Sequence, residues 1–463
     1  MPIRWLNCTS LNHACRDCTV KTLDQIAAEL QGYDPQALSA ADVLTFLSKL
    51  VTPVRDSLEL PLFEALGRVL AEDVISPFDV PPHDNSAMDG YAFDSQQLHG
   101  DNAIELQIVG TALAGKAWQG TVHAGQCVKI MTGAIMPQGL DTVVPQEMVT
   151  VQADRVSIPA RILKPGDNRR LRGEDLTQGQ SALLKGEPLT PARLGLAASL
   201  GLKTVLCWRP LRVAYFSTGD EILSLGEAPR EGAVYDSNRY TVFGMLSRIG
   251  CQVIDMGVVR DEPALLEAAF LSAAERADAI ITSGGVSVGE ADFTKTMMKK
   301  LGDVAFWRIA MRPGRPMAVG RISNAKSAPS PMNSVMDSYT NDSKKNTALL
   351  FGLPGNPVAV MVTFLAFVRP ALLQMMGTTA SAAPLLKARS LEPIRKKPGR
   401  TEYQRGWVST AADGSLQVKT TGNQGSGVLR SMAEANGLMV LHHAQGNFAV
   451  GDEVDVLMFD GVI

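Results

Sequence analysis

The residues with the clearest chemical potential form the stretch ITSGGVSVGEADFTK, residues 281–295. Its glycines, Gly284, Gly285 and Gly289, would let the backbone come close to a ligand, and the helix predicted after them would point its amino-terminal N–H groups at that ligand. This arrangement suits a phosphate group. Asp292, in the first turn of the helix, would repel a phosphate unless a cation lay between the two.

A divalent cation resolves that conflict, and further acids are available to hold it. Asp261 and Glu221 each follow a predicted strand, as Asp292 does, and carboxylate oxygens are ligands that Mg²⁺ prefers. The sequence therefore predicts an Mg²⁺ site beside a phosphate cradle, to which Ser283 and Ser287 add hydroxyl groups.

Basic and rigid residues follow two other predicted strands. Arg312 and Arg315 lie in MRPGRP, and their planar guanidinium groups suit an oxyanion; PGNP occupies residues 354–357. Each feature also has a simpler interpretation. Glycine-rich loops occur as tight turns, an acid in a first helical turn often only stabilises the helix dipole, and Asn356 with Pro357 is a common helix start. Their joint placement is what favours a binding site.

Alternating strands and helices between residues 210 and 376 would bring these loops together. The strand patterns are RVAYFS, CQVIDMGVV, DAIITS, VAFWRIA and ALLFGL, and amphipathic helix patterns separate most of them. This alternation is typical of a parallel sheet covered on both faces. Parallel strands end at the same edge of a sheet, and ligands bind in the crevice beyond those ends.

Other elements are predicted on either side of this region. LSAADVLTFLSKL is a helix with Leu44, Leu47 and Leu50 on one face, and residues 61–73 have the pattern of a second helix. Short β runs punctuated by glycine and proline fill residues 75–175, and further strands end the chain. The sequence thus predicts a helical and extended segment, a small β-rich domain, an αβα domain and a carboxyl-terminal β domain.

Composition limits the class of function. The chain has 463 residues, enough for about three domains of ordinary size. Its net charge of −3 gives no general attraction to nucleic acid or to an anionic membrane. No stretch reaches the about 18 apolar residues of a membrane span, and the start lacks the apolar core of a signal peptide. Six cysteines make no disulfide framework in so long a chain, so we expect a cytoplasmic protein.

Two segments fall outside this organisation. Residues 1–39 have the pattern of an amino-terminal extension, whose cysteines and histidine either hold zinc or an iron–sulfur cluster or belong to a floppy tail. These residues are Cys8, His13, Cys15 and Cys18. Residues 323–347 are polar and without periodicity, which predicts a disordered insertion between two core strands.

Eight motifs together resemble the MoeA family, molybdopterin molybdenumtransferase, which is also similar to the E domain of gephyrin. They occur in the family's order: DVPPHDNSAMDGYA, IMTGA, NRRLRGED, FSTGDE, YDSNRY, TSGGVSVGEADFTK, PGRP and LPGNPV. The resemblance covers about residues 40–463, and neither the extension nor the insertion has a counterpart in it.

The resemblance implies an activity. The family inserts molybdate into the dithiolene of adenylylated molybdopterin with release of AMP, and a divalent cation, usually Mg²⁺, assists. The partners this implies are the pterin substrate, the molybdopterin adenylyltransferase and acceptor molybdoenzymes. The composition adds the expectation of no nucleic acid and no membrane as partners.

The resemblance also implies a fold: an elongated homodimer of four-domain subunits, each with a doubly wound αβα (MogA-like) domain and a carboxyl-terminal β-barrel-like domain. The active site would lie between the αβα domain of one subunit and the small β domain of the other. The implied domains are residues 40–74 with 176–209 (linking and dimerisation), 75–175 (β-rich), 210–377 (αβα, molybdopterin-binding) and 378–463 (carboxyl-terminal β).

Matching motif by motif, the resemblance implies roles for individual residues. The metal-binding acids it implies are Asp261, Asp292 and Glu221. The catalytic residues it implies are Asp89, Thr132, Asp175, Glu221, Asp292, Arg312 and Arg315. The residues it implies for binding pterin, phosphate and molybdate are Gly284, Gly285, Ser287, Gly289, Pro354, Pro357, Arg405 and Ser426. Asp89 and Thr132 would face the site across the dimer interface.

Departures from the family pattern concern the oxyanion pocket. The family usually has lysine at the position of Arg312 and often at Arg315, and it often has serine where this chain has Ala359. Arginine keeps the charge but is bulkier, so a preference for molybdate or for tungstate stays open.

Two other functions also stay open: a gephyrin-like scaffold that binds a partner peptide, and a molybdopterin adenylyltransferase. The complete set of acidic and basic motifs argues against a scaffold alone, and the four-domain layout argues against the adenylyltransferase.

Overall fold

The computed structural model describes residues 21–98, 100, 102–286, 293–323, 347–379 and 382–462. The chain divides into two compact units, a larger one of Met1–Ser57 with Trp208–Ile463 and a smaller one of Leu58–Cys207. The candidate metal ligands Cys8, His13, Cys15 and Cys18 and nearly all of the predicted insertion lie outside the described residues.

Two helices begin the described chain, α1 (Leu23–Ala28) and α2 (Ala40–Leu50). Thr22 and Ser39 cap them, because each hydroxyl accepts a hydrogen bond from a first-turn N–H that has no partner within the helix. The buried residues of α2 are Val43, Phe46, Leu47 and Leu50, which follow the i, i+3, i+4, i+7 spacing of one face. Leu44 was predicted on that face and is instead exposed, since it lies outside this spacing.

The smaller unit consists of short strands and a helix. In chain order its elements are β1 (Ser57–Pro61), β2 (Val74–Ile75), β3 (Asn85–Ser86), β4 (Gly90–Phe93), β5 (Ile104–Ala112), β6 (Gln126–Ile130), β7 (Thr142–Pro145), β8 (Thr150–Gln152), β9 (Arg155–Ile158), β10 (Arg169–Arg170), β11 (Ser181–Leu183), α3 (Pro191–Ser199) and β12 (Thr204–Trp208). Strands β4 to β9 form one sheet in the order β7-β4-β6-β5-β9-β8. The predicted small β-rich domain is confirmed.

The two ends of the smaller unit share a separate core. β1 pairs with β12 and β2 with β11, and apolar side chains of both ends form one buried cluster. The helix predicted over residues 61–73 is wrong. Gly67 has φ +74°, and the N–H groups of Gly67, Leu70 and Ala71 donate to carbonyls of residues 187–206. Backbone partners distant in sequence therefore prevail here over a local helical pattern.

The larger unit contains the predicted αβα domain. In chain order its elements are β13 (Arg212–Thr218), β14 (Ile222–Leu223), β15 (Val234–Tyr235), α4 (Ser237–Arg248), β16 (Gln252–Val259), α5 (Pro263–Arg276), β17 (Ala279–Ser283), α6 (Phe293–Leu301), β18 (Gly302–Arg308), β19 (Met311–Arg312), β20 (Pro316–Ser323), β21 (Thr347–Leu353), α7 (Pro357–Thr363) and α8 (Arg369–Met375). α4 packs with α7, and α5 packs with α6. α5 and α6 bury an apolar cluster against the sheet.

The αβα sheet has the strand order β16-β13-β17-β21-β20-β18. β16, β13, β17 and β21 are parallel, as predicted. β20 was not predicted, and it runs antiparallel to both of its neighbours, so the sheet is mixed. β18 is consequently parallel to the first four strands. Its carboxyl end, and the arginine stretch that follows, therefore lie at the same edge as the other predicted loops.

Residues 21–39 cover the outer strand of that sheet, β18. The N–H groups of Arg308 and Ala310 donate to the carbonyls of Pro35 and Leu38, at 2.8 and 2.7 Å. An uncovered edge would expose these donors to pairing with another chain. The predicted extension is thus packed against the αβα domain over its described part.

The carboxyl-terminal domain is a closed five-stranded barrel. Its elements are β22 (Leu386–Ser390), β23 (Thr401–Thr410), β24 (Leu416–Thr420), α9 (Leu429–Ala433), β25 (Gly437–Leu441) and β26 (Glu453–Met458). The order is β23-β24-β22-β26-β25, and β25 pairs back with β23. β19 adds to β23 in parallel, so the arginine stretch is joined to the barrel. The predicted carboxyl-terminal β domain is confirmed, although β22 was not predicted.

One long apolar helix stands out among the described residues. α7, a π-helical turn at Phe364–Val368 and α8 together span Pro357–Met375, 19 residues with a mean hydropathy of 1.8. Length and composition would suffice for a membrane span, contrary to the expectation from the sequence. Two-thirds of its apolar window is buried inside the fold, at 67%, which is typical of a core helix.

The buried face of α2 gives a stability prediction. The ring of Phe46 packs between Tyr33 and Trp307, with centroids 5.9 and 4.9 Å away. Phe46→Ala should lower the free energy of unfolding by about 3–5 kcal/mol, because the removed ring leaves a cavity. Leu44→Ala, on the exposed face, should change it by less than about 0.5 kcal/mol. Urea denaturation measures both, and similar losses would contradict the assigned face.

Candidate active site

A cavity of about 970 Å³ lies in the larger unit, where the carboxyl edge of the αβα sheet meets the barrel. Loops from both domains line it, and most of the residues predicted for pterin, metal and oxyanion binding are among them. The predicted residues that line it are Glu221, Asp261, Gly284, Gly285, Arg312, Arg315, Pro354 and Ser426. Ser287, Gly289 and Asp292 lie outside the described residues.

In the loop after β17, only glycine fits at two positions. Gly284 and Gly285 have φ of +93° and +64°, where side chains are strained. A Cβ on Gly284 would lie 2.4 Å from the carbonyl oxygen of Thr218, and one on Gly285 would lie 2.5 Å from the side chain of Thr294. The backbone therefore turns tightly at the cavity wall, where its own polar groups can reach a ligand.

The serine that precedes this loop was predicted to contact the ligand and does not face the cavity. Ser283 is buried, and its hydroxyl is 2.6 Å from the hydroxyl of Tyr215 and 3.2 Å from that of Ser217. Burial raises the pKa of Tyr215, so this group of hydroxyls stays neutral. Ser283 is on β17 itself, and alternation along the strand turns it into the core.

Two predicted metal ligands share the cavity. Glu221 folds back over Gly219, where a Cβ would lie 2.6 Å from a carboxylate oxygen of Glu221. Asp261 accepts a hydrogen bond from the Thr294 hydroxyl at 3.0 Å, which fixes one of its oxygens. In the described parts of the chain, acids, histidines and cysteines form no group of three that could hold a metal. Two hard carboxylate donors are nonetheless present, and the third predicted ligand, Asp292, lies outside the described residues.

The arginine stretch forms the opposite wall. Arg312 and Arg315 are exposed into the cavity, while Pro313 and Gly314 between them are buried. A Cβ on Gly314 would lie 2.4 Å from the Thr363 hydroxyl oxygen, so only glycine fits the turn. The two guanidinium groups are therefore presented from a loop packed tightly against α7.

Arg405 was predicted to bind the ligand, but it is fully buried and does not line the cavity. Its guanidinium donates to the carbonyls of three consecutive loop residues and to the Ser431 hydroxyl. The three carbonyls belong to Asn423, Gln424 and Gly425. Burial, and then repulsion from Arg312, lower the pKa of Arg405 to about 10, which leaves it charged at neutral pH. Arg405 therefore holds the loop that carries Ser426.

The PGNP stretch is joined to that same loop. Asn356 precedes α7, yet its side chain makes no cap and its amide donates to the Ser426 hydroxyl at 3.1 Å. Pro357 is the first residue of α7 and does not line the cavity, although it was predicted to bind the ligand. Ala359, where the family often has serine, does line it.

Several lining residues were not predicted, and those with polar side chains include Thr218, Arg400 and Gln424. The Thr218 hydroxyl is buried and lacks a hydrogen-bond partner among the described residues, so a ligand could supply one. Arg400 adds a third guanidinium to the basic wall. It directly precedes β23, and a basic residue at a strand boundary was the only signal that could have found it.

The remaining predicted residues belong to the smaller unit. Asp89 accepts hydrogen bonds from the N–H and the hydroxyl of Thr132, at 2.7 and 2.6 Å. These bonds hold the pKa of Asp89 below its usual value. Asp175 is exposed, and its N–H donates to the carbonyl of Val80 at 3.0 Å.

Fold and site together define a class: multidomain α/β proteins that bind an anionic ligand between acidic and basic walls at the carboxyl edge of a doubly wound sheet. The chain matches three family models: the MoeA N-terminal region (domain I and II) at residues 38–201, the probable molybdopterin binding domain at 214–374 and the MoeA C-terminal region (domain IV) at 387–459. The protein belongs to the MoeA family, as its motifs indicated.

Relatives with assigned names agree. A molybdopterin molybdenumtransferase of Haemophilus influenzae is 39% identical over 405 residues, 87% of this chain and 94% of that one. One of Nostoc is 34% identical over 95% of this chain and 98% of its own. The crystal structure of the molybdopterin biosynthesis moeA protein of Pyrococcus horikoshii superposes with a TM-score of 0.74 at 26% identity, covering 91% of this chain and all of that one.

The revised role of Arg405 can be tested by hydrogen exchange. Arg405→Met removes the donors to three loop carbonyls, and charge-assisted bonds are worth about 1.5–3 kcal/mol each, so amide exchange in residues 423–428 should quicken by about tenfold or more. Arg389→Met is the control, because Arg389 is an exposed residue of the same barrel, paired only loosely with Asp413 at 3.9 Å. Unchanged exchange in Arg405→Met would mean that other contacts hold the loop.

Proposed function

We propose that this protein is a molybdopterin molybdenumtransferase, which inserts molybdate into the dithiolene of adenylylated molybdopterin, releases AMP and yields the molybdenum cofactor. The observation that carries the proposal is the single cavity that joins the glycine loop, two carboxylates and three arginines. Relatives that bear this enzyme name match nearly the whole chain.

The adenylylated pterin would lie along the sheet edge. Gly284 and Gly285 bring backbone close to its phosphate groups without a side chain in the way. The buried Thr218 hydroxyl, which has no partner among the described residues, supplies a further polar contact from the same side.

A divalent cation such as Mg²⁺ is part of the proposal. Glu221 and Asp261 would hold it together with Asp292, and their hard oxygen donors fit such an ion. When bound, the cation would neutralise phosphate charge beside these acids. The Thr294 hydroxyl orients Asp261 for this task through its hydrogen bond of 3.0 Å.

The basic wall would receive molybdate. Arg312, Arg315 and Arg400 provide the charge, and Ser426 provides a hydroxyl held in place by Asn356. Arg405 lies buried behind the loop that carries Ser426 and adds positive potential there. Its charge is not cancelled, because carbonyls rather than a carboxylate surround its guanidinium. With no histidine or cysteine lining the described cavity, these residues would act by positioning and charge.

The proposal includes a cytoplasmic homodimer. Cys127 and Cys207 are buried and outside any disulfide, which is compatible with a reducing compartment. Asp89, Thr132 and Asp175 are included as residues that contribute to the reaction. Analytical ultracentrifugation tests the dimer, and an active monomer would remove it from the proposal.

Release of AMP is the decisive measurement. Purified protein is given adenylylated molybdopterin and Mg²⁺, with or without molybdate. We expect release that depends on molybdate and falls when a chelator replaces Mg²⁺. Tight pterin binding without release would contradict the transferase and would direct the work to tungstate and to a scaffold role. Formation of the adenylylated pterin from ATP would instead support an adenylyltransferase.

The arginine that replaces the family's usual lysine gives a second prediction. Arg312→Ala should lower kcat/KM for molybdate by about 10–100-fold, the value of one or two charge-assisted contacts. Arg312→Lys keeps the charge and should retain most of the activity. Arg389→Ala, elsewhere on the barrel, is the control. Equal losses in the lysine and alanine variants would show that charge at this position is not what the pocket needs.

A further inference from the structure

We propose that Glu402 is a positioning residue, which holds Arg400 in the orientation that binds a tetrahedral oxyanion. This inference rests on the proposed function, because it takes Arg400 to be an anion ligand of the cavity. Glu402 itself does not line the cavity.

The contacts of Glu402 are those of an orienting group. It is only 1% exposed, and one of its carboxylate oxygens accepts a hydrogen bond from Arg400 Nε at 2.8 Å. The same oxygen forms an ion pair with Arg400 Nη2 at 2.7 Å. The other oxygen accepts from the Gln404 amide at 3.3 Å. A charge-assisted contact to a carboxylate that is itself buried ties the orientation of Arg400 to Glu402. Neither contact involves Nη1 of Arg400, which we take to be the group that meets a ligand in the cavity.

The backbone of Glu402 fixes the other side of the site. In the parallel pairing of β19 with β23, Glu402 is the partner of Arg312. The neighbouring pair is closed by a hydrogen bond of 2.9 Å from the Thr401 N–H to the Ala310 carbonyl. One residue thus connects both arginines, Arg312 through the strand pairing and Arg400 through its side chain.

A buried lysine also lies near Glu402. Lys396 is 4% exposed, and its ammonium donates to the carbonyls of Lys397, His443 and Gln445. Burial lowers the pKa of Lys396, and the charge of Glu402 opposes that shift. Glu402 therefore has a second cation beside it.

A carboxylate so close to an anion site would by charge alone weaken anion binding. Positioning and charge consequently predict opposite results when Glu402 is changed, and this difference makes the proposal testable.

Equilibrium binding of inorganic molybdate and of inorganic phosphate, each by isothermal titration calorimetry, tests it on the full chain. Glu402→Gln removes the charge and keeps the size, whereas Glu402→Asp keeps the charge and shortens the reach. If Glu402 positions Arg400, both variants should bind more weakly, by about five- to tenfold, since a charge-assisted contact loses its geometry. The anion that is affected identifies whether molybdate or a phosphate group occupies this position.

The double variant excludes a general structural effect. In an Arg400→Ala background, Glu402→Gln should cause no further loss, because the group that it orients is gone. Arg389→Ala is the matched control and should bind both anions normally.

Three results would overturn the proposal: tighter binding by Glu402→Gln with unchanged binding by Glu402→Asp, the same loss with and without Arg400, or a wild-type protein that binds neither anion. Because turnover is not measured, a wild-type protein that binds anions but releases no AMP would reject the proposed function and leave this result standing.

Discussion

The short parallel pairing of β19 with β23 is the interaction on which the cavity depends. It joins Met311 and Arg312, at the end of the αβα sheet, to Thr401 and Glu402, at the start of the longest barrel strand. The sheet edge supplies glycines and acids, and the barrel supplies the loop of Ser426. Without the pairing these two half-sites would be separate surfaces, each too open to exclude water from an anion.

Two buried cations near the basic wall keep their charge because backbone carbonyls, rather than carboxylates, accept most of their hydrogen bonds. Arg405 and Lys396 donate to backbone carbonyls, which fill their hydrogen bonds without cancelling their charge. Elsewhere in the same unit the opposite solution is used: Arg209 forms a bidentate pair with Asp278 at 2.7 Å, which is neutral overall. Burial of an arginine without a carboxylate costs more. Arg405 lies beside the arginines that are proposed to receive molybdate, where this cost would be offset by attraction to a dianion.

The sequence was sufficient for the parts that are governed by local pattern. Hydrophobic periodicity and the glycines and prolines between segments predicted the αβα domain. Several of the glycines and arginines at its strand ends do line one cavity. β20 was missed because it opens with Pro316 and runs against the alternation of strand and helix. The helix over residues 61–73 failed because distant carbonyls decide that backbone. Type and spacing also could not show that Ser283 and Arg405 turn inward, since strand register and loop packing settle which face a polar residue occupies.

The arginine stretch has a second support besides the barrel, in residues that the family models do not match. Those models begin at residue 38, yet the carbonyl of Pro35 accepts from the Arg308 N–H, just before the loop of Arg312. β18 is an edge strand, and edges fray unless they are paired. Fraying at β18 would release the base of that loop even with β19 still bound to the barrel. Covering the edge therefore does more than protect against aggregation: it makes the amino-terminal segment part of the structure that keeps the arginines in place.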